Sequence, residues 1–513
     1  MSSAQKAVSA MIWDFLGKGG LSLVRFAESI LLVRLLGNTD YGILSVLLNF
    51  QASLVLAASL GIEGALSRFL PELQVKKKEI HIPALIRQAG TTRSCLLITV
   101  SGICFLFAAP LVEILFKDIP ADSQPFANYL RFVLFLVISV GLQDLTRRIL
   151  VIHYKQRLIN TVEFFAFCAY LGGAIILIQL GGGITEVLLV NIGSKLLTLL
   201  FFAFHSRFYF RSNSIKEPVP STLQKRIYAY ALSFYFYSLM LHVLGKGGDI
   251  FILGALDPDI SQVTFYTIAF NFAFFSTSFF ELALHGGFVL PFISEIYHKG
   301  NRANICRVYT GLFEFIYLFT IPISVGGIFM ARELIDLFYG VENSSAAPLL
   351  ILFFVHFSVV KIGILNSSFM LAADQQNRLI GSRVFFGGFN MVINLILVGS
   401  YHAIGVVWGT LITGVLSSIY ETWCVHQTIK PRYSLQFMGK ILLAASGMGF
   451  VLWGAASFLP ELLSVKIVLL IGLGGAVYAI LLVYLKPISS ANLEVLQQSK
   501  LPFKHHLFRL LSK

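Results

Sequence analysis

Arg25 and Glu28 place a cation and an acid three residues apart in an apolar stretch, and 221 positions later Lys246 and Asp249 do the same. A charged side chain at the centre of a membrane helix costs at least about 2.5–3.5 kcal/mol, so such residues belong in a bundle interior or a wet cavity. On a helix, Asp14, Lys18, Arg25 and Glu28 fall within an arc of about 80°. Tyr235, Ser238, His242, Lys246 and Asp249 form a second stripe of the same kind. Two such stripes face to face would give a lumen of positive potential, with Lys18, Arg25, Lys246, Tyr235 and His242 as the groups that receive an anion. Lys195 and Lys361 would be secondary lumen cations, and Asp14, Glu28, Glu63 and Asp249 carry either a coupling ion or the neutralising charge. The plainer alternative is that each pair neutralises itself and fixes helix packing. His242 is a structural histidine or a proton-coupling one. Gly245-Lys246-Gly247-Gly248 would let its helix bend or unwind at the second cation.

Other chemistry finds no footing. Cys95, Cys104, Cys168, Cys306 and Cys424 show no CxxC spacing, so neither a zinc site nor a disulfide framework is expected. Walker, GxSxG and HExxH motifs are absent from the sequence, so ATP-driven transport by this chain alone and recognisable hydrolase chemistry both lack support. Asp257-Pro258-Asp259 has the spacing of a glycosyltransferase metal pair, but it falls in a short connection and is expected to be a turn. The chain is expected to be a transporter rather than an enzyme, with no cofactor and no metal.

The elements that must position these charges are membrane spans. Of the 513 residues 56% are hydrophobic and only 13% charged, against roughly 25% charged in a soluble protein. Apolar stretches of about 20 residues, the length that crosses a hydrocarbon core, recur from end to end. The expected fold is all-α: a polytopic membrane protein of about 14 transmembrane helices, arranged as two pseudo-symmetric six-helix lobes plus two extra C-terminal helices. The boundaries are an N-terminal lobe over 1–205, a cytoplasmic linker over 206–226, a C-terminal lobe over 227–427, an extra helix pair over 428–487 and a cytoplasmic tail over 488–513. MSSAQKAVSA lacks a signal peptide's charged start and cleavage site, so the first span is expected to be retained. The net charge of +13 is mostly topology: roughly 28 of the 39 Lys and Arg fall on the side of the termini, and few, Lys117, Arg332 and Lys466 among them, on the other. Both termini are therefore expected in the cytoplasm, and no nucleic acid is expected as a partner.

An internal repeat ties the spans together. At the same offset of 221, Gln156-Arg157-Leu158-Ile159-Asn160 matches Asn377-Arg378-Leu379-Ile380-Gly381, Phe164-Phe165 matches Phe385-Phe386, and Gly193 matches Gly414. Each half has an even number of spans, so the halves share one orientation and substrate belongs between them.

The segments LLVRLLGNTDYGILSV (Leu31 to Val46) and SLGIEGALSRFLPEL (Ser59 to Leu73) resemble the start of the Wzx-type polysaccharide flippases. These belong to the multidrug/oligosaccharidyl-lipid/polysaccharide exporter superfamily, and Arg34, Gly37, Tyr41, Gly42, Arg68 and Glu72 carry the likeness. The resemblance implies a V-shaped pair of lobes that opens alternately to either face. It implies a substrate too: a polyprenyl-pyrophosphate-linked oligosaccharide, the unit of O-antigen lipopolysaccharide, capsule or exopolysaccharide, moved outward across a bacterial inner membrane. Its partners would be that lipid-linked oligosaccharide, membrane lipids and other polysaccharide-assembly membrane proteins. Many Wzx-type flippases have 12 spans, whereas a pair after Gln427 resembles the extra helices of lipid II flippases. A lipid II flippase and a multidrug/cation antiporter of the same superfamily are the alternatives, although an antiporter's lumen is expected to favour acids.

Overall fold

The computed structural model describes residues 3–75, 79–117, 124–153, 155–210, 219–285, 293, 297, 302–431, 433–459 and 462–487. Every regular element among them is helical. The first eleven are α1 (Ser3–Leu36), α2 (Asn38–Ala57), α3 (Ile62–Val75), α4 (Ile82–Leu106), α5 (Ala108–Leu115), α6 (Gln124–Ile152), α7 (Gln156–Gln179), α8 (Ile184–Phe210), α9 (Ser221–Leu244), α10 (Lys246–Leu256) and α11 (Ser261–His285). Eleven helices of the described residues are long and apolar enough to cross a membrane. One of these, Gln376–Ile429, is two spans joined at His402, whose φ of 50° and ψ of −143° interrupt the helix. Its two halves bring the crossings to twelve, and α1 and α11, at 34 and 25 residues, have the length though not the apolarity of the two further spans expected.

Local sequence explains where spans start and break. Gly37, at φ 79°, ends α1 and turns the chain into α2. The second expected span is interrupted at Leu60-Gly61. Gly61 has φ 74°, and a Cβ there would fall 1.9 Å from the Ala231 carbonyl oxygen, so the break lets α9 approach the backbone. The expected bend at the second cation is a full break: α9 ends at Leu244, Gly245 is extended, and Lys246 opens α10.

By the density of contacts the chain forms two compact units, Met1–Thr267 with Arg383–Val406, and Ile268–Ser382 with Val407–Lys513. In the first, α6 packs on α8 and α1 on α7. One core cluster joins Phe69 and Leu66 of α3, Ile86 of α4, Ile149 of α6 and Ile227 of α9. Another joins Val55 of α2, Leu97 of α4 and Val137 of α6. In the second unit the Tyr309 hydroxyl donates to Asn366 Oδ1 at 2.7 Å, and Asn366 Nδ2 donates to Thr422 at 2.9 Å. The final pair, Leu435–Ala455 and Leu463–Leu485, belongs to this unit: the two helices pack on each other, and Tyr478 donates to the Leu318 carbonyl at 2.8 Å.

Candidate functional site

Four of the predicted residues meet inside the first unit. α1 supplies Arg25 and Glu28, α8 supplies Lys195, and α10 supplies Lys246. Arg25, Lys195 and Lys246 all lie close enough to the Glu28 carboxylate to act on it electrostatically, and the Tyr170 hydroxyl of α7 stands beside it. Arg25 also reaches the Phe167 ring, with 6.0 Å from guanidinium to centroid. Glu28 and Lys246 sit deep within the protein, yet both keep accessible surface, as does Lys195, and Arg25 is exposed. Charges enclosed by protein that still keep accessible surface belong against water rather than lipid. Three cations around one carboxylate leave a net positive charge there, the electrostatics of an anion site.

The duplicated acids have separate fates. Glu28 faces the cations, whereas Asp249 is fully buried and accepts from the Tyr266 hydroxyl at 2.6 Å and from Asn394 Nδ2 at 2.8 Å. Asn394 in turn lies 3.2 Å from Asn390 Oδ1, so Asp249 ties α10 to α11 and to the Gln376–Ile429 helix. Lys246 of α10 and Glu28 of α1 act on each other electrostatically.

Other predicted residues lie elsewhere. His242, in the last turn of α9, has Nε2 2.8 Å from the Ser53 hydroxyl, and its ring fills the space a Gly247 side chain would need. Asn49 Nδ2 donates to the Gly247 carbonyl at 2.8 Å, so α2 holds both sides of the break. Tyr235 is half-buried, edge-on to Phe236, and is not among the groups acting on Glu28. Lys18 is half-buried two turns before Arg25 on α1, and the side chain of Asp14 lies outside the described residues. Lys361, in the second unit, is 3% exposed; Nζ donates to Ser278 at 2.9 Å and lies 4.9 and 4.8 Å from the Phe274 and Phe357 ring centres. In this structure it is sealed in protein.

Glu63 pairs with Arg93, Nε to Oε1 3.0 Å, and Arg93 Nη1 also donates to the Val55 carbonyl at 3.0 Å. Asp144 and Arg148 act on the same carboxylate, and Arg147 binds Glu163 nearby in sequence at 2.7 Å. Sequence reasoning missed Arg93 because a span starting near residue 94 puts it at the membrane surface. α4 instead starts at Ile82, which carries Arg93 to mid-helix. Tyr170 was missed because a tyrosine in an apolar span has no signature until a charge is placed beside it. Asp257-Pro258-Asp259 is the expected turn: the Asp259 and Ser261 N–H groups donate to the Asp257 and Asp259 carboxylates, each at 3.0 Å. Among the described residues no group of three His, Cys, Asp or Glu could hold a metal.

A family model described as polysaccharide biosynthesis protein matches residues 31–348. The chain belongs to that family. This polysaccharide biosynthesis family member is also 19% identical over 499 residues to an uncharacterized membrane protein of Methanocaldococcus jannaschii, covering 93% of the chain and 94% of the relative. Its fold is similar to that of the lipid II flippase MurJ in an inward closed conformation, with TM-score 0.72, 15% identity, and 92% and 98% of the two chains covered. It is similar too to an inward-facing multidrug resistance MATE transporter of the MOP superfamily, with TM-score 0.58, 16% identity, and 80% and 94% covered. The family member is a multi-pass membrane protein whose fold is that of the flippase and the transporter above.

Proposed function

We propose that the chain moves a polyprenyl-pyrophosphate-linked oligosaccharide, the unit of an O-antigen, capsule or exopolysaccharide, from the cytoplasmic to the outer leaflet of a bacterial inner membrane. The observation that carries this is the placement of Arg25, Lys195 and Lys246 around one carboxylate on an accessible internal surface. A pyrophosphate cannot enter hydrocarbon uncompensated, and these cations neutralise it while the polyprenyl tail stays in lipid. Lys18 extends the positive stripe along α1, and Tyr235 and His242 of α9 would shelter the glycan. Both termini, the 206–226 linker and the 488–513 tail are assigned to the cytoplasm on their cations, and the lobes over 1–205 and 227–427 to the two repeats. An inside-negative potential favours outward movement of an anion by about 2.3 kcal/mol per charge per 100 mV. Deletion of the gene should abolish the surface glycan and leave its lipid-linked unit on the cytoplasmic leaflet. Normal glycan with drug hypersensitivity would point to an antiporter instead.

A lipid II substrate is the second reading, favoured by the extra helix pair and by the TM-score of 0.72 to MurJ over 92% of the chain. Complementation of cells depleted of their lipid II flippase separates the two: rescue of growth assigns lipid II, and failure with restored glycan in the deletion strain assigns the oligosaccharide.

A further inference from the structure

Lys246 stands at a joint with little of its own to hold it. Gly245, Gly247 and Gly248 flank it, and each leaves the backbone freer than another residue would. Gly245, in the capping position of α10, has no side chain to cap the first turn, and its N–H reaches the His242 carbonyl only at 3.3 Å. The bracing comes from α2, against which both α9 and α10 pack. Asn49 and Ser53 are four residues apart, hence on one face of that helix and about 6 Å from each other. Asn49 Nδ2 donates to the Gly247 carbonyl at 2.8 Å on the α10 side of the break, and Ser53 Oγ lies 2.8 Å from His242 Nε2 on the α9 side. Proton counting gives the direction of the second bond. Ser53 donates its single proton to the Asn49 carbonyl at 2.9 Å, so Nε2 carries the hydrogen and donates to Ser53. That fixes the His242 ring, which closes against Gly247, where a Cβ would fall 2.2 Å from it. The bonds of Asp249 to Tyr266 and Asn394 hold α10 beyond the joint, whereas the α2 pair spans it.

We propose that Asn49 and Ser53 are positioning residues: they brace the break from both sides and thereby hold the Lys246 ammonium where it meets the Glu28 carboxylate and an incoming phosphate. The proposal rests on the anion reading of that cluster. Loss of either bond leaves the glycine joint free to swing, and the ammonium with it, while the charge of the site stays as it was.

The test has two parts, both on the full chain in nanodiscs. Binding of farnesyl pyrophosphate is measured by isothermal titration calorimetry. Asn49→Leu, which keeps the side chain's volume but not its donor, and Ser53→Ala should each weaken binding about fivefold, the worth of one neutral hydrogen bond. In a Lys246→Ala background, where Arg25 and Lys195 still hold the probe, neither should weaken it further. Equal losses in both backgrounds, or no loss with Lys246 present, would overturn the proposal. The second part needs no ligand. Spin labels at exposed Leu232 of α9 and Phe251 of α10, in a chain with its native cysteines replaced by alanine, report the angle of the break as pulsed dipolar distances. The Asn49→Leu, Ser53→Ala double variant should broaden that distribution, and one unchanged from the wild type would overturn the brace. A wild-type chain that binds no farnesyl pyrophosphate would instead strike the anion reading, with the distances still deciding the brace.

Discussion

His402 Nδ1 lies 3.1 Å from Oδ2 and 3.2 Å from Oδ1 of Asp257, joining the turn after α10 to the point where the Gln376–Ile429 helix is interrupted. The Asp257 side chain is wholly buried and His402 is half exposed, so the acid is fixed and the base stands at the surface. His402 holds φ 50°, a conformation a β-carbon disfavours, and the Asp257 contact helps to keep it there. Asp259, within the same turn, is the other charged group acting on the Asp257 carboxyl.

Burial pushes the Asp257 carboxyl above the ordinary range, outweighing the stabilisation of its charge by the Asp259 N–H and His402. A raised value in the folded protein means that its contribution is fully present in acid and is lost as pH rises through the titration. Asp257→Asn removes that loss. The difference in thermal unfolding temperature, variant minus wild type, should therefore grow more positive between pH 4 and pH 7, and a difference that stays level or falls would contradict the assignment.

At the charge cluster, Arg25→Ala or Lys246→Ala should lower transport at least about tenfold, since a hydrogen bond to a charged group is worth about 1.5–3 kcal/mol. Arg25→Lys should keep part of the activity, retaining the charge but losing the bidentate fork. Protein abundance is measured alongside. If Arg25 and Glu28 only balance each other, the Arg25→Ala, Glu28→Ala double variant regains full transport; an anion site predicts normal abundance without transport.

Glu63 and Arg93 behave as the opposite case. Arg93→Met leaves a buried carboxylate uncompensated, which costs about 3–5 kcal/mol, and the protein should be lost from the membrane. Adding Glu63→Gln should bring it back. Western blots of membrane fractions measure both, and a stable Arg93→Met single variant would show that the pair is not structural.

Gly61→Ala should reduce folded yield sharply, because the αL conformation alone costs about 1–2 kcal/mol and the new methyl meets the Ala231 carbonyl. Gly19→Ala on α1, where a side chain meets nothing within 4 Å, is the control and should fold as well as the wild type. Size-exclusion profiles of the two report the outcome.

Hydropathy made the spans legible because every residue facing lipid must be apolar whatever it packs against. The break between α9 and α10 was legible as well, since three glycines around Lys246 leave a helix little reason to continue. Partnerships were not. Periodicity puts Glu28 and Arg25 on one face of α1, but only packing brings Lys195 and Tyr170 from α8 and α7 to that face. Likewise, hydropathy counts crossings without saying which of them pack together. Nothing in Arg383–Val406 announces that it belongs with the first unit, because Asn394 and its contact with Asp249 carry no sequence signature.

Lys361 bears on how the protein is made. A lysine in the middle of an apolar segment opposes release from the insertion machinery into lipid. Its partners Ser278 and Phe274 lie on α11, which emerges from the ribosome more than 80 residues earlier, so they are already in the membrane when the lysine arrives. The segment can leave the translocon against α11 instead of bare lipid, and the order of synthesis becomes part of what makes that charge tolerable.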